Sequence, residues 1–575
     1  MSEEIKIEEK LRDTVEVILP DGTVISGSRH TPVEAFMQKY QQPDKPLIVG
    51  AIVNHELREL TYPISIDAKV TPVDMANTDG SRIYRRSLTF LLEVAFMELY
   101  PEWTLTIDHS VSSGAYYCHV PEQEPFTQES LDALDARMHE LVSENAPLLK
   151  EKISLAEAKA FFAEQGQDDK LRLLNYRFGD DLVLYSLHGL RDYHHGYMVP
   201  STGYLNCFDL QLVDLGFVIR FPRRHAPNHL SQLTSYPQLL TAFREYGGWL
   251  ETLGIQSVGA LNDAIKEGRI SEVILVSEAL HTQQISRIAN DIRKRSDEIR
   301  VILIAGPSSS GKTTFAKRLT IQLLTEGISP FALEMDNYFV NREDTPVNED
   351  GEYDFEHINA VNRALLNDHV SRLIAGERVQ LRHYNFKKGV SEPGDEVQLA
   401  PDQMIILEGI HGLNPLLLEG FPTENTFRIY VSCLTQLNLD RHNRISTTDT
   451  RHLRRILRDA RDRGYTAQQT ISHWEMVRQG EKDHIFPYQE NADIMFNSAL
   501  AYELSALKPL VEPLLRQVPF GTHEYIEAKR LLKFLQWFLP IDQNLIPDNS
   551  ILREFIGGSI LTSFKIWQHD SPTDY

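Results

Sequence analysis

The chain has 575 residues, of which 42% are apolar and 9% aromatic, an ordinary composition for folded proteins and a length sufficient for about three or four domains. Its formal net charge of −23 disfavours general binding to nucleic acid, because an acidic surface repels a phosphate backbone. Its three cysteines lie far apart, which argues against a disulfide scaffold and a structural zinc site. The sequence has no apolar run of about 18 residues and no apolar signal core, which argues against a membrane span and secretion. We therefore expect a soluble, cytoplasmic protein.

The first predicted elements form a small β-rich unit over residues 1–64. Val15–Leu19 and Val24–Ile25 flank the turn Pro20–Thr23, an arrangement typical of a β-hairpin. A short helix over Thr31–Lys39 and a further apolar strand follow. We expect these elements to build one small domain.

The middle of the chain is predicted to hold a second domain and a connector. Residues 65–215 mix strands with helices, and the helices Ser87–Leu99 and Leu131–Val142 carry apolar residues at helical spacing. Residues 216–298 are predicted to be largely helical. We interpret them as a connector that leads into the next domain.

Short apolar strands alternate with helices over residues 299–500, which predicts βαβ units and an α/β fold, with a parallel sheet and helices on both faces. Residues 501–575 contain helical stretches, including Tyr525–Leu539, and we interpret them as a C-terminal helical extension. The predicted strands of the parallel sheet are 301–305, 330–335, 404–408, 427–432 and 493–497.

A phosphate-binding motif, G-x-x-x-x-G-K-T, follows the first of these strands and precedes a predicted helix. Its two glycines allow the backbone to curl around phosphate oxygens, while Lys312 supplies a cation and the Thr313 hydroxyl can ligate Mg²⁺. The motif predicts that the chain binds ATP or GTP together with Mg²⁺. The expected binding residues are Gly306, Ser308, Ser309, Ser310, Gly311, Lys312, Thr313 and Thr314.

Two carboxylates are predicted to stand at the same edge of the sheet as this loop, since each one ends an apolar strand. Asp336 follows the strand 330–335, where it can accept a hydroxyl proton and help hold Mg²⁺. Glu408 ends the strand 404–408, the usual place of an acid that organises a metal ion. The plainer alternatives are a turn aspartate and a simple charge at a strand end.

An arginine-rich amphipathic helix is predicted over Arg451–Gly464, with six arginines in its first thirteen residues. Leu453, Ile456 and Leu457 lie on one stripe, and the arginines crowd the rest of the surface. The two aspartates within this segment are too few to neutralise six arginines. We therefore favour a lid that closes over ATP and stabilises charge on the transferring phosphoryl group, and the alternative is a surface helix held by salt bridges.

These motifs, in this order, resemble the uridine kinase and phosphoribulokinase family of P-loop kinases. The resemblance covers residues 299–500 and rests on GPSSSGKTT, MDNYF, YDFEH, HYNF, IILEGI and RRILRDARDRG. It implies a catalytic set, formed by the base Asp336 with Lys312, Arg458, Arg461 and Arg463. It also implies a substrate site, formed by Asp354, Tyr384, Phe386 and Arg454, and a metal site, formed by Thr313, Glu408 and Asp336.

One motif departs from the pattern of the pyrimidine-specific members of that family. Shortly after the aromatic pair they place a histidine that reads the base, whereas this chain has Lys387-Lys388-Gly389. Two lysines at this point suit an anionic acceptor, which a nucleoside is not. The acceptor therefore stays open between a nucleoside and a sugar phosphate.

The first 215 residues resemble the N-terminal part of threonyl-tRNA synthetase. Residues 1–64 resemble its TGS domain, a β-grasp fold, and residues 65–215 resemble the adjoining α+β editing-type domain. At the positions that carry the editing chemistry, this chain has Arg86, Phe90, His194 and Met198. Since such a set cannot reproduce acid–base hydrolysis, we expect a catalytically inactive copy that serves regulation, oligomerisation or ligand sensing.

The resemblance implies ATP-dependent phosphorylation of the 5′-hydroxyl of a nucleoside, with uridine and cytidine as the expected acceptors. One alternative is phosphorylation of another nucleoside or of a sugar phosphate, and another is a regulator that senses nucleotide or RNA. The expected partner is a small nucleoside, and no membrane contact is expected. Nucleic acid is disfavoured by the net charge, although a tRNA-like ligand and a homo-oligomer both stay open.

Overall fold

The computed structural model describes residues 12–111, 114–348 and 351–564, and the chain divides into two compact units. The first unit comprises Met1–Thr234, and two later segments, Asn438–Arg444 and Pro519–Arg530, return to it. The second unit comprises Ser235–Leu437, Ile445–Val518 and Leu531–Tyr575. Neither of these two returning segments is predicted by a sequence pattern.

The first unit begins with a five-stranded sheet that contains the predicted hairpin. A buried cluster that includes Val15, Val17 and Phe36 lies between this sheet and the helix Val33–Tyr40. The sheet extends past residue 64, because its central strand, Ala68–Asp74, runs parallel to the first strand. In spatial order the strands are Val24–Ser28, Thr14–Ile18, Ala68–Asp74, Ile48–Val53 and Glu56–Glu59, and a short pair joins Thr31–Pro32 to Pro63–Ile64.

The rest of the first unit packs helices against two antiparallel sheets. The long helix Thr78–Leu99 buries almost its whole apolar side, and Gln128–Glu144 lies against it. Gly216–Arg220 is a strand of one of these sheets, so the segment interpreted as a helical connector begins inside the first unit. The remaining strands are Thr106–Val111, Ala115–His119 and Asp209–Val213 in one sheet and Leu149–Ser154, Asp181–Leu187 and Leu190–Asp192 in the other, and the shorter helices are Leu155–Glu164 and Asp168–Leu174.

The second unit is built around a five-stranded sheet in which all neighbouring strands are parallel, as the sequence predicts. The central strand Val301–Ala305 is fully buried, because helices cover both faces of the sheet. This arrangement brings the carboxyl ends of all five strands to one edge. In spatial order the strands are Pro330–Glu334, Met404–Glu408, Val301–Ala305, Thr426–Ser432 and Ile494–Asn497.

Helices and one hairpin surround this sheet. The hairpin pairs Val379–Asn385 with Val390–Val397. In the sequence it lies between the edge strand Pro330–Glu334 and its neighbour in the sheet, Met404–Glu408. The helices are Pro237–Thr252, Val258–Lys266, Ile270–Lys294, Lys312–Thr325, Arg363–Ile374, Thr447–Arg458, Ala467–His484, Glu503–Leu515 and the short Arg553–Ile556. The helix His523–Leu535 starts in residues of the first unit and ends in residues of the second. None of the described helices has the length and apolar composition needed to cross a membrane.

Candidate active site

The phosphate loop connects the central strand Val301–Ala305 to the helix Lys312–Thr325. Gly311 has φ +88°, the left-handed conformation that favours glycine, and a Cβ at Gly306 would lie 1.9 Å from the Val431 carbonyl oxygen. The hydroxyls of Ser309 and Ser310 are buried and have no hydrogen-bond partner among the described residues. A loop with unpaired donors at a helix N-terminus fits a phosphate group.

Lys312, Thr313 and Glu408 meet at the carboxyl edge of the sheet. The Thr313 hydroxyl donates to Glu408 Oε2 over 3.2 Å, and Lys312 Nζ lies 4.0 Å from Glu408 Oε1. Burial raises the pKa of Glu408 to about 7, although the Lys312 charge opposes this shift. Ionising a buried carboxyl without a counter-charge is costly, so a divalent cation beside Glu408 would stabilise its charged form. Hydroxyl and carboxylate oxygens are suitable ligands, and Thr313, Glu408 and Asp336 would hold the ion.

Asp336 lies in a short 3₁₀ turn, Met335–Tyr338, directly after the strand Pro330–Glu334. The residue is exposed to solvent. The surrounding protein raises the pKa of its carboxyl, and the charges of Lys312, Arg463 and Arg458 act in the opposite direction. Three predicted cations therefore act electrostatically on the predicted base.

Glu356 is a site residue that the sequence analysis missed. Burial raises its pKa to about 7, with a further contribution from Glu481, while Arg455 and Lys312 oppose the shift. Its Oε2 is buried without a hydrogen-bond partner among the described residues. The signal was present, because Glu356 belongs to the same YDFEH motif as the predicted Asp354.

The arginine-rich segment consists of a helix, Thr447–Arg458, followed by a π-helical turn over Asp459–Arg463. Asp459 is buried and lies 3.7 Å from Arg458 and 3.3 Å from Arg463. Burial lowers the pKa of Arg458 to about 10, and the neighbouring charges of Arg463 and Arg455 add to this effect. Arg458 and Arg463 therefore lie in a strongly positive region, and the charges of both act on the Asp336 carboxyl.

Two other arginines of this segment are neutralised by acids that lie far away in the sequence. Arg454 is fully buried and forms an ion pair with Glu503, and Arg451 forms a buried ion pair with Glu481. Distant acids therefore supply part of the negative charge that the two local aspartates lack. Arg454 also donates to the Ser309 carbonyl over 3.4 Å, which gives it a supporting place behind the loop instead of the predicted substrate contact.

The acceptor side of the site carries the predicted aromatic residues in different environments. Tyr384 is buried with its ring centroid 5.6 Å from that of Phe339, whereas the side chain of Phe386 is 58% exposed. Asp354 is half-buried and accepts a hydrogen bond from the Glu356 amide over 3.0 Å. Phe386 is thus free to contact a ligand, and Tyr384 packs behind it.

The Lys387-Lys388-Gly389 segment forms the tip of the hairpin. Lys388 forms a 2.9 Å ion pair with Glu392. Arg342 packs over Gly389, where a Cβ would lie 2.9 Å from the arginine side chain, and donates to the Phe386 carbonyl over 2.8 Å. One of the two lysines is therefore engaged within the hairpin, and Arg342 is a further cation at this place.

Two acids occupy backbone donors of the phosphate loop. Glu481 Oε1 accepts from the Ser308 amide over 3.0 Å, and Glu554 Oε2 accepts from the Thr314 amide over 3.1 Å. Arg455 donates to the Ser308 hydroxyl over 2.9 Å. Carboxylate oxygens thus stand where this type of loop offers its donors to anions.

Comparison with known proteins identifies the segment that carries this site. Residues 301–505 match the model of the phosphoribulokinase / uridine kinase family. The predicted resemblance of this segment to that kinase family is confirmed. A solved structure described as a "Possible Uridine Kinase", from Bacillus stearothermophilus, has 20% sequence identity and a TM-score of 0.25, and the match covers 36% of this chain and 100% of that one.

The N-terminal region is similar to threonine–tRNA ligases. The ligase of Acidithiobacillus ferrooxidans is 38% identical over 166 residues, which make up 29% of this chain and 26% of the ligase. The ligase of Burkholderia lata is 32% identical over 200 residues, or 35% of this chain and 31% of the ligase. The chain thus spans about a quarter to a third of the length of these curated relatives, and the predicted fusion of a synthetase-like region to a kinase-family segment is confirmed.

In the synthetase-like region, the residues at the editing positions are buried and packed. His194 lies edge-on to Phe90, with ring centroids 5.1 Å apart, and burial lowers the pKa of His194 to about 4. Arg86 donates to the Tyr197 carbonyl over 2.6 Å, and Met198 is buried. On another side, His194 Nε2 lies 3.3 Å from Glu93 Oε2, so this histidine packs between a phenyl ring and a buried carboxyl group.

A buried polar cluster next to His194 contains the potential metal ligands Glu93, Asp192 and His194. The Lys170 ammonium donates to Asp192 and lies 3.1 Å from His442 Nδ1. Burial alone would raise the pKa of Asp192, but Lys170 and His442 hold it below its usual value. Because a lysine cation already balances this cluster, we assign no metal ion to it.

Proposed function

We propose that the chain transfers the terminal phosphoryl group of ATP to the 5′-hydroxyl of a nucleoside, with uridine or cytidine as the acceptor. The observation that carries this proposal is that the charges of Lys312, Arg463 and Arg458 all act on the Asp336 carboxyl and oppose the rise of its pKa. Asp336 would accept the proton of the attacking hydroxyl, and the three cations would neutralise charge that develops on the phosphoryl oxygens. Thr313, Glu408 and Asp336 would hold Mg²⁺, which would supply further positive charge.

The acceptor is proposed to lie between Asp336 and the hairpin. The exposed ring of Phe386 offers a flat apolar surface for a base, and Asp354 and Glu356 offer acceptors for sugar hydroxyls. Since Lys388 is paired with Glu392, the hairpin offers less free positive charge than its sequence suggests, which favours a neutral nucleoside over a sugar phosphate. Arg342 is a further cation at the hairpin and would suit an anionic acceptor, so sugar phosphates are included in the test.

The test is ATP consumption in the presence of Mg²⁺ with a panel of pyrimidine nucleosides, purine nucleosides and sugar phosphates. Turnover with uridine or cytidine that is lost in Lys312→Met supports the proposal. Turnover with a sugar phosphate alone would keep the reaction and change the substrate class. The absence of acceptor-dependent turnover across the panel would refute the kinase proposal.

A regulator that binds tRNA is the second candidate, and the similarity to threonine–tRNA ligases favours it. In this proposal the TGS-like and editing-like parts bind an RNA, and the kinase-family segment responds. Retention of tRNA by the full chain, measured at several salt concentrations, tests it. Binding through phosphates must weaken steeply as salt rises, and the absence of retention at low salt would remove this candidate.

A further inference from the structure

The C-terminal segment 550–561 packs directly on the phosphate loop. Ile551 is fully buried, and its Cγ2 would lie 2.5 Å from a Cβ at Gly311. Lys317, on the helix that follows the loop, donates to the Leu561 carbonyl over 2.9 Å. These contacts hold the segment against the helix N-terminus that the phosphate motif creates.

The segment is also joined to the arginine-rich element. The Arg454 guanidinium lies over the Phe555 ring, 4.8 Å from its centroid. Arg461 donates to the Glu554 carbonyl over 2.8 Å. Arg461 therefore contacts both the C-terminal segment and its own neighbour Asp462.

Glu554 is the one acid of this segment that contacts the loop by its side chain, among the residues that the structure describes. Its carboxylate accepts from the Thr314 amide, which lies 240 residues away in the sequence. The amides of the first helical turn have no intrahelical partner, and in a phosphate loop they are donors to an anionic ligand. An anionic ligand and the Glu554 carboxylate therefore need the same donor.

We propose that Glu554 is an internal competitor of the nucleotide, so that the C-terminal segment must release the Thr314 amide before phosphate binds there. The proposal rests on the proposed function insofar as the loop is taken to hold a nucleotide triphosphate. It assigns a regulatory role to the 550–561 segment. Any event that holds this segment in place weakens nucleotide binding, and any event that detaches it strengthens binding.

The contact also fits a repulsion argument. A carboxylate left beside the phosphates of a bound nucleotide would place like charges within a few ångströms, which disfavours the occupied state. Removing the charge while keeping a similar shape should therefore improve nucleotide affinity. A purely structural Glu554, which only completes the helix N-terminus, would leave nucleotide affinity unchanged or lower it through loss of stability.

The experiment compares nucleotide affinity of the full chain, Glu554→Gln and Asp548→Asn, by titration calorimetry with ATP. Asp548 is an exposed acid of the same region, so Asp548→Asn changes the net charge equally without touching the loop. We expect Glu554→Gln to bind ATP roughly fivefold to twentyfold more tightly, and Asp548→Asn to bind like the unmodified chain. Equal affinity in all three would overturn the proposal while leaving nucleotide binding itself intact.

A second measurement follows the segment itself. Amide hydrogen exchange over residues 550–561 should speed up when ATP is added to the unmodified chain, because the segment leaves the loop. Protection of the same amides by ATP would contradict release. If none of the folded proteins binds ATP, both the proposed function and this inference fail. If all of them bind ATP equally well, only the role of Glu554 fails.

Discussion

The Thr313 hydroxyl donates to Glu408 over 3.2 Å, although the two residues lie 95 positions apart in the sequence. The contact exists because the loop after Val301–Ala305 and the end of Met404–Glu408 share one edge of the parallel sheet. It joins two of the three residues that we expect to organise Mg²⁺.

We expect Glu408→Gln to raise the Mg²⁺ concentration needed for half-maximal turnover by about tenfold to a hundredfold, because a neutral amide is a poor ligand for a hard cation. Kinetics at varied Mg²⁺ and saturating ATP measure the change. Glu334→Gln is the matched control, since Glu334 ends the neighbouring strand and is exposed. An unchanged Mg²⁺ requirement in Glu408→Gln would contradict the metal assignment.

We expect Asp336→Asn to lower kcat by about 10²-fold to 10⁴-fold, because asparagine cannot accept the hydroxyl proton. The dissociation constant for ATP should change little, since nucleotide affinity depends on the loop. Turnover and ATP titration on the same preparation separate these effects. Asp344→Asn, an exposed acid in the adjoining segment, should behave like the unmodified chain, and equal loss in both variants would point to misfolding.

The buried ion pair Arg454–Glu503 predicts that removing one partner destabilises the fold more than removing both. Glu503→Gln leaves a fully buried guanidinium without its counter-charge, which should cost about 3–5 kcal/mol of unfolding free energy. Replacing both members, as Arg454→Met with Glu503→Leu, should restore most of that loss. Denaturant unfolding of the three proteins measures this. A double variant as unstable as the single one would show that the pair is not the cause.

Glu356 predicts a pH dependence of stability. Its pKa is about 7 in the folded chain and about 4.3 in an unfolded one, so the folded state holds the extra proton between these values. Its contribution to stability is present below about pH 4.3 and is lost as pH rises through 7, roughly 4 kcal/mol in all. The free energy of unfolding of the second unit should be measured from pH 5 to 8. In Glu356→Gln its slope against pH should lack the part that comes from Glu356. A slope identical in both proteins would refute the assignment.

Much of the second unit could be predicted from the sequence, because its signals are local. A phosphate motif and five short apolar strands define the parallel sheet, and acids at strand ends fall at its carboxyl edge without any long-range information. The predicted lid helix Arg451–Gly464 contains the observed helix Thr447–Arg458 only in part, since a π-helical turn replaces its end. That change depends on how Asp459 is packed.

The remaining site residues could not be predicted because their partners are distant in the chain. Glu481 and Glu503 neutralise arginines 30 and 49 residues away, and neither acid lies in a motif. Glu554 reaches the loop from a segment with no recognisable pattern. Arg454 supports the loop because its side chain is buried. That burial depends on packing between distant segments, which no single segment encodes.

The return of Asn438–Arg444 to the first unit has a consequence for how the chain is made. Proteins emerge from the ribosome N-terminus first, and domains generally fold as they appear. Here the Lys170–Asp192 ion pair lacks its neighbour His442, and Arg82 lacks its partner Glu527, until most of the kinase segment has been synthesised. The region that is translated first is therefore completed among the last, and ribosome-bound chains that end before residue 438 should hold it in an unfinished, protease-sensitive state.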